Sequence, residues 1–177
     1  MDDVHFFWAD ERCVPPDNPE SNYRTARELL FEPLAIPLSH IHRIRGEDDP
    51  GAAAKSASDE LACIAGKNPQ NVPILDLVIL GMGEDGHVAS LFPGAPSQPG
   101  IYYPVIGPKP PPRRITVSYD VIIAARDVWV LVSGAGKQGA LAGSLAPGGG
   151  DTPLARVVQG RKRTRIDTRI FCDFILK

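Results

Sequence analysis

Short apolar runs recur along this chain, separated by polar, Pro-rich or Gly-rich stretches, and each run has the length of a strand. We predict strands at residues 4–9, 41–44, 75–80, 102–106, 115–123 and 127–133. The run 75–80 is partly β-branched and contains no Gly or Pro. This run therefore predicts a strand of a parallel sheet that is buried on both faces rather than an alternating surface strand.

Helical patterns alternate with these strands. Ser21 is a candidate N-cap for a helix over 22–31 that ends before Pro33. A second helix is predicted over 52–66, which is rich in Ala, and a third over 137–146. Residues 10–19 are predicted as a loop, and no element is assigned after the Gly-rich loop 148–150. The alternation predicts an α/β fold with a mainly parallel sheet.

Composition narrows the functional classes. The chain has 177 residues, 43% of them hydrophobic, which favours one globular domain. Its net charge of −2 argues against a nucleic-acid or membrane-surface partner. The mostly basic segment 161–169 favours a solvated helix or strand face over a nucleic-acid-binding tail. The three cysteines are widely spaced, which argues against a disulfide framework or a zinc site. With no signal peptide or long apolar run recognised, the cytoplasm is the default expectation.

The loop after residues 75–80 carries the strongest candidate chemistry. Its glycines, including Gly83 and Gly86, allow positive φ or a close backbone approach, and the loop presents Asp85 and His87. Ligands of open α/β sheets lie beyond the carboxyl ends of strands, and a histidine there suits general-base work. An ordinary turn with a solvated acid, in which His87 holds the loop in shape, fits the same residues.

Two other predicted strand ends carry polar groups at the same edge of the sheet. Asp10 and Arg12 follow the first strand, and the guanidinium of Arg12 suits a phosphate or carboxylate, or else an ion pair with a nearby glutamate. Lys137 follows a Gly-Ala-Gly turn before a helix, where it either binds an anion or is solvated. Together these ends predict a pocket for an anionic small molecule, with His87 to move a proton.

The remaining histidines and tryptophans receive simpler interpretations. His40 and His42 would lie on one face of a strand, but no further ligand cluster accompanies them, so no metal site is expected. Trp8 and Trp129 lie in apolar runs and are predicted core residues.

Several segments, in the same order, resemble the 6-phosphogluconolactonase family, within the superfamily that also contains glucosamine-6-phosphate deaminase. They are FFWADERCVP at 6–15, PESNYRTARELLF at 19–31, LDLVILGMGEDGHVASLFPG at 75–94, residues 107–141 and, more faintly, TPLARVV at 152–158. The GHVASLFPG and PKPPPRRIT elements are the specific ones. SLFP after the Asp-Gly-His turn favours the lactonases over the sister deaminases.

The resemblance implies a three-layer, Rossmann-like α/β fold and hydrolysis of 6-phospho-D-glucono-1,5-lactone without metal or organic cofactor. His87 would be the base and Asp85 its neighbour in the site. Arg12 and Lys137 would bind the phosphate and substrate oxygens. The implied substrate site also includes the side chains or backbone of Asp10, Ser21, Asn22, Gly83 and Gly86. The expected partner is the small sugar-phosphate lactone, and the expected assembly is a monomer or weak homo-oligomer.

Two departures from the family pattern affect these expectations. Family members usually begin with another strand–helix region whose Ser-Gly-Gly-Ser-Thr-Pro-like loop supplies phosphate-binding groups, and no segment here matches it. We therefore expect residues 1–177 to form a single lactonase-like domain that is incomplete at its N-terminus and divergent after about residue 159. A deaminase or isomerase, and an inactive sugar-phosphate-binding remnant, are the alternative functions.

Overall fold

The computed structural model describes residues 4–147 and 150–175, which form short strands flanked by helices. The strands are β1 (Phe6–Phe7), β2 (Asp10–Arg12), β3 (Ile41–His42), β4 (Leu77–Gly81), β5 (Tyr102–Ile106), β6 (Arg113–Val117), β7 (Asp127–Val132) and β8 (Arg169–Cys172). The α-helices are α1 (Asn22–Ala26), α2 (Pro50–Ile64), α3 (Tyr119–Ala124), α4 (Gln138–Leu145) and α5 (Pro153–Arg163). A π-helical turn (Arg27–Phe31) extends α1, and 3-10 turns at Leu38–His40 and Ala135–Lys137 precede β3 and α4.

The strands form three sheets. β1 pairs with β3, and β7 pairs with β4 on one side and β8 on the other, all in parallel. β6 pairs with β2 and β5 in an antiparallel sheet. The α/β class with parallel sheets flanked by helices is confirmed, and the antiparallel sheet is an addition that the alternation of elements did not predict.

The first predicted strand is divided between two sheets. β1 ends at Phe7, the chain passes through the buried Trp8, and β2 then begins at Asp10, inside the predicted loop. The backbone N–H of Val117 donates to the carbonyl of Ala9 (2.8 Å). This hydrogen bond places the chain after β1 against the edge of β6. The loop prediction was wrong for 10–12 because this cross-strand pairing is a tertiary contact.

Residues 115–123 are also not one strand. β6 ends at Val117, and Ser118 then caps α3 by accepting a hydrogen bond from the N–H of Val121 (3.5 Å). A cap side chain that satisfies a free N–H outweighs the β-propensity of the residues that follow it.

β4 alternates between buried and exposed residues, so the prediction of a strand buried on both faces was wrong. Val78 and Leu80 are buried, whereas Leu77 is 40% exposed and Ile79 is 52% exposed. The apolar sequence is that of a strand with two covered faces, but in the described residues only one face is fully covered.

The core lies among β4, β6, β7 and the helices that pack on them. Its fully buried side chains include Leu61, Ile115, Ile122, Val128 and Leu154. Trp8 belongs to this core as predicted; Trp129 is only half-buried and packs against Phe171 instead. None of the helices in the described part of the chain is long and apolar enough to cross a membrane.

Arg161 ties α5 to the end of α3. Its side chain is fully buried, and its guanidinium donates to the carbonyls of Ile123 (3.1 Å), Ala125 (2.6 Å), Arg126 (3.2 Å) and Asp167 (3.0 Å). The interpretation of 161–169 as a solvated face was therefore wrong for Arg161. Its N–H donors match carbonyls at and just after the end of α3, together with the carbonyl of Asp167 after α5.

We predict that Arg161→Ala lowers the free energy of unfolding by about 3 kcal/mol or more, since it leaves several buried carbonyls without a donor. Arg163→Ala, at an exposed position of the same helix, should change it by less than about 0.5 kcal/mol. Urea unfolding of both variants measures the difference, and equal stabilities would contradict the assigned role of Arg161.

Candidate active site

The predicted strand ends meet at one cleft of about 380 Å³. The carboxyl end of β4, the β2 strand and the turn before α4 all contribute to its wall. Of the candidate residues, the cleft is lined by Asp10, Arg12, Asn22, Gly83, His87 and Lys137. Arg114 of β6 also lines it, and sequence reasoning missed this residue.

The His87 loop is closed by its own backbone. The N–H of Gly83 donates to the carbonyl of His87 (2.9 Å), and the N–H of Gly86 donates to that of Gly83 (3.0 Å). Gly86 has φ +80°, a conformation that favours glycine, and a Cβ on Gly83 would overlap the His87 ring. The close approach predicted for these glycines thus holds the His87 imidazole at the carboxyl end of β4.

His87 and Asp85 form a hydrogen-bonded pair. Nδ1 of His87 lies 2.6 Å from Oδ1 of Asp85, and the backbone N–H of His87 donates to the same oxygen (3.1 Å). Because an ionised carboxylate only accepts, Nδ1 carries the proton and Nε2 is left as an acceptor. Asp85 itself does not line the cleft and contacts His87 instead.

The pair also changes the acidity of Asp85. Burial raises the pKa of this carboxyl, but the hydrogen bonds from the backbone and ring of His87, together with the charge of His87, outweigh burial and hold the pKa below its usual range. Folding therefore favours the ionised form. The ionised carboxyl of Asp85 therefore stabilises the folded state above a pH of about 4. This stabilisation is lost as the pH falls through the lowered pKa of the folded state.

Arg12 and Arg114 lie opposite each other in the β2–β6 ladder. Like charges in directly opposed positions repel, and burial together with the charge of Arg12 lowers the pKa of Arg114. Arg12 donates to the carbonyl of Glu20 (2.5 Å), yet its buried Nε has no hydrogen-bond partner among the described residues. An anion in the cleft would relieve the repulsion between the two arginines.

Asp10 is held by neighbours from two elements. The hydroxyl of Ser90 donates to Oδ2 of Asp10 (2.6 Å), and the amide of Asn22 donates to the Asp10 carbonyl (2.9 Å). Ser90 is buried and comes three residues after His87 along the chain. Its hydrogen bond therefore connects the His87 loop to β2, and Asn22 reaches the cleft beside it.

Ser21 and Gly86, both candidate substrate-site residues, do not line the cleft. The Ser21 hydroxyl is buried, donates to Glu11 (3.0 Å) and caps α1 by accepting from the N–H of Arg24 (3.2 Å). Gly86 faces α5, where its carbonyl accepts from the N–H of Leu154 (3.1 Å). Both residues therefore support the elements around the cleft without lining it.

Lys137 enters the cleft from the turn that joins β7 to α4. This turn begins at Gly134, which has φ +99°, and its hydrogen bond runs from the N–H of Lys137 to the carbonyl of Gly134 (3.1 Å). The ammonium group therefore belongs to the same cleft as Arg12 and Arg114. Three cations thus line this cleft together with His87.

The other histidines lie outside this cleft. The ring of His5 stacks with those of His40 and His42, and Nδ1 of His5 is 2.8 Å from Nε2 of His42. Within the described residues, no group of three or more His, Cys, Asp or Glu side chains could hold a metal ion.

Comparisons with known proteins agree on one family. The family model described as glucosamine-6-phosphate isomerases/6-phosphogluconolactonase matches residues 1–166. The 6-phosphogluconolactonase of Mycobacterium tuberculosis is 40% identical over 173 residues, a match that covers 91% of this chain and 68% of that protein.

Solved structures give the same picture. The 6-phosphogluconolactonase of Trypanosoma brucei superposes with a TM-score of 0.80 at 30% identity, covering 95% of this chain and 71% of the other. A monomeric glucosamine-6-phosphate deaminase superposes with a TM-score of 0.77 at 17% identity, covering 96% of this chain and 72% of the other, which shows a shared fold alone.

We predict that His87→Ala raises the pKa of Asp85 toward its ordinary value, because the ring donor and its charge are lost while the backbone N–H remains. A pH titration of the Asp85 carboxyl carbon by NMR measures the shift. His40→Ala, which lies outside the cleft, should leave this pKa unchanged. An unshifted Asp85 in His87→Ala would show that the pair does not form.

Proposed function

The chain belongs to the glucosamine-6-phosphate isomerase/6-phosphogluconolactonase family, and we propose that it hydrolyses 6-phospho-D-glucono-1,5-lactone to 6-phospho-D-gluconate, a step of the oxidative pentose phosphate pathway. The observation that carries the proposal is one cleft in which a carboxylate-held imidazole shares the wall with three cations. A lactone ester and a phosphate on one small molecule match these two kinds of group.

His87 would act as the general base. With Nδ1–H donated to Asp85, Nε2 takes a proton from water as the water oxygen attacks the lactone carbonyl. The ester bond to the ring oxygen then breaks, and the same imidazolium returns the proton to that oxygen. The resulting carboxylic acid loses its proton to solvent, so the histidine ends the cycle unchanged.

Arg12, Arg114 and Lys137 would bind the phosphate and the substrate oxygens. Both arginines line the cleft, and the guanidinium of Arg114 is held there by its hydrogen bonds to the carbonyls of Pro111 (3.1 Å) and Lys109 (3.3 Å). Lys137 adds a flexible point charge from the turn before α4. This charge suits a phosphate oxygen or the oxyanion that forms at the carbonyl. Asp10, held by Ser90 and Asn22, would accept from a sugar hydroxyl.

The cellular compartment, the class of partner and the oligomeric state are also proposals. The three cysteines are free thiols, which supports action in a reducing cytoplasm. A net charge of −2 favours a small-molecule partner over nucleic acid or an anionic membrane. We propose a monomer or weak homo-oligomer.

We predict that His87→Ala reduces lactone hydrolysis by about 10²–10⁴-fold, to near the spontaneous rate, because the general base is lost. The rate is measured against a buffer blank, and circular dichroism checks the fold. His40→Ala is the matched control and should retain full turnover. Turnover near the parent rate in His87→Ala would refute the base assignment, and ammonia release from glucosamine 6-phosphate would favour a deaminase.

Arg12→Ala and Lys137→Ala should mainly raise KM, by about tenfold or more each, since a charge-assisted hydrogen bond contributes roughly 1.5–3 kcal/mol. Lys55→Ala, at an exposed position on α2, is the control for loss of a surface charge. Steady-state kinetics with the lactone measure the split between KM and kcat. An unchanged KM in both cleft variants would argue against phosphate binding by these residues.

A further inference from the structure

The carboxylate of Asp173 lies beside the turn that carries Lys137. β7 and β8 are parallel, and their register pairs Val132 with Cys172, so Ser133 and Asp173 follow these strands at the same end of the sheet. That end is the one at which ligands of open α/β sheets bind, and Lys137 lines the cleft there. Asp173 therefore lies close to the cleft, although it does not line it.

Three hydrogen bonds join this carboxylate to the start of the Lys137 turn (residues 133–137). The hydroxyl of Ser133 donates to Oδ2 of Asp173 (2.7 Å). The backbone N–H of Gly134 donates to Oδ1 (3.2 Å) and to Oδ2 (3.4 Å) of the same side chain. Gly134 has φ +99°, a conformation that glycine adopts and leaves easily, so the carboxylate fixes the most flexible residue of the turn.

The rest of the turn depends on this fixed glycine. The carbonyl of Gly134 accepts from the N–H of Lys137 (3.1 Å), which closes the turn directly behind the ammonium-bearing side chain. A second link follows at the start of α4, where the side-chain amide of Gln138 donates to the carbonyl of Ile175 (2.8 Å). The segment after β8 thus holds the turn at both of its ends.

Asp173 supplies this support in its ionised form. The hydrogen bonds from Ser133 and Gly134, with a smaller part from the charge of Lys137, hold the pKa of Asp173 below its ordinary value. Because the side chain is exposed, water and salt screen its charge. The hydrogen bonds therefore contribute more to the support of the turn than the attraction between Asp173 and Lys137 does.

We propose that Asp173 is a positioning residue for Lys137, which holds the turn so that the ammonium group stays in the cleft and meets an anionic ligand there. This inference rests on the proposed binding of the phosphate or the substrate oxygens by Lys137. Without the carboxylate, Gly134 is released and the ammonium group spends less time in the cleft. Binding then weakens, while His87 is held by a separate loop and keeps its proton-transfer role.

Asp173→Ala should raise KM for the lactone by about fivefold and change kcat by less than about twofold, because it removes hydrogen bonds behind a binding group. Asp173→Asn keeps an oxygen that accepts from Ser133 and Gly134, and its KM should stay within about twofold of the parent value. Asp76→Asn, at an exposed acid just before β4, is the control and should leave KM unchanged. A parent-like KM in Asp173→Ala, or a loss confined to kcat, would overturn the proposal.

A double-mutant cycle separates positioning from a general structural effect. In Lys137→Ala, the further change Asp173→Ala should alter KM by less than about 1.5-fold, because no ammonium group is left to position. An equal effect of Asp173→Ala with and without Lys137 would show that Asp173 acts independently of this lysine, and the proposal would fail.

Binding of inorganic phosphate tests the same inference without turnover. In an NMR titration at low salt, Asp173→Ala should weaken phosphate binding by about fivefold, and the Gly134 and Lys137 amides should exchange faster with solvent. Weakened binding in a chain that does not hydrolyse the lactone would support the positioning role and refute the hydrolysis. Equal phosphate affinities in the parent and Asp173→Ala would refute the positioning role even where hydrolysis is normal.

Discussion

One half of the active-site cleft depends on the buried carboxylate of Glu11. It accepts hydrogen bonds from the backbone N–H groups of Arg12 (2.7 Å), Asn22 (2.8 Å) and Tyr23 (2.8 Å) and from the hydroxyl of Ser21 (3.0 Å). Burial raises the pKa of Glu11, and these four donors oppose that rise. The carboxylate binds β2 to the start of α1, so that Arg12 and Asn22 reach the cleft from a rigid corner.

The other half is organised around a strand end rather than a buried acid. The ring of His87 and the carboxylate of Asp85 leave no room for a side chain at Gly83, and the loop places Asp85 against the ring. Ser90 then connects this half to Asp10 on β2. The imidazole of His87 and the cations of the cleft thus come from separate elements, and Ser90 connects the His87 loop to β2.

Arg12 and Arg114, which lie opposite each other, lower the stability of the folded protein at this site. Repulsion between them weakens the β2–β6 pairing, and burial of Arg114 adds to that cost. A dianionic phosphate group bound between them would offset both costs. The exposed apolar face of β4 adjoins the same cleft, because Ile79 is 52% exposed and also lines the cleft.

The sequence by itself determined the local parts of this protein. Residues 75–94 predict their strand and the His87 loop because a short apolar run and closely spaced glycines act over a few residues. Tertiary structure decided the rest. Arg114 enters the cleft and Arg161 is buried only through strand register and helix packing, and Ser118 ends a strand that β-propensity would continue. Apolar Leu77 and Ile79 are exposed for the same reason: burial depends on which distant segment covers a face, and no local pattern encodes that segment.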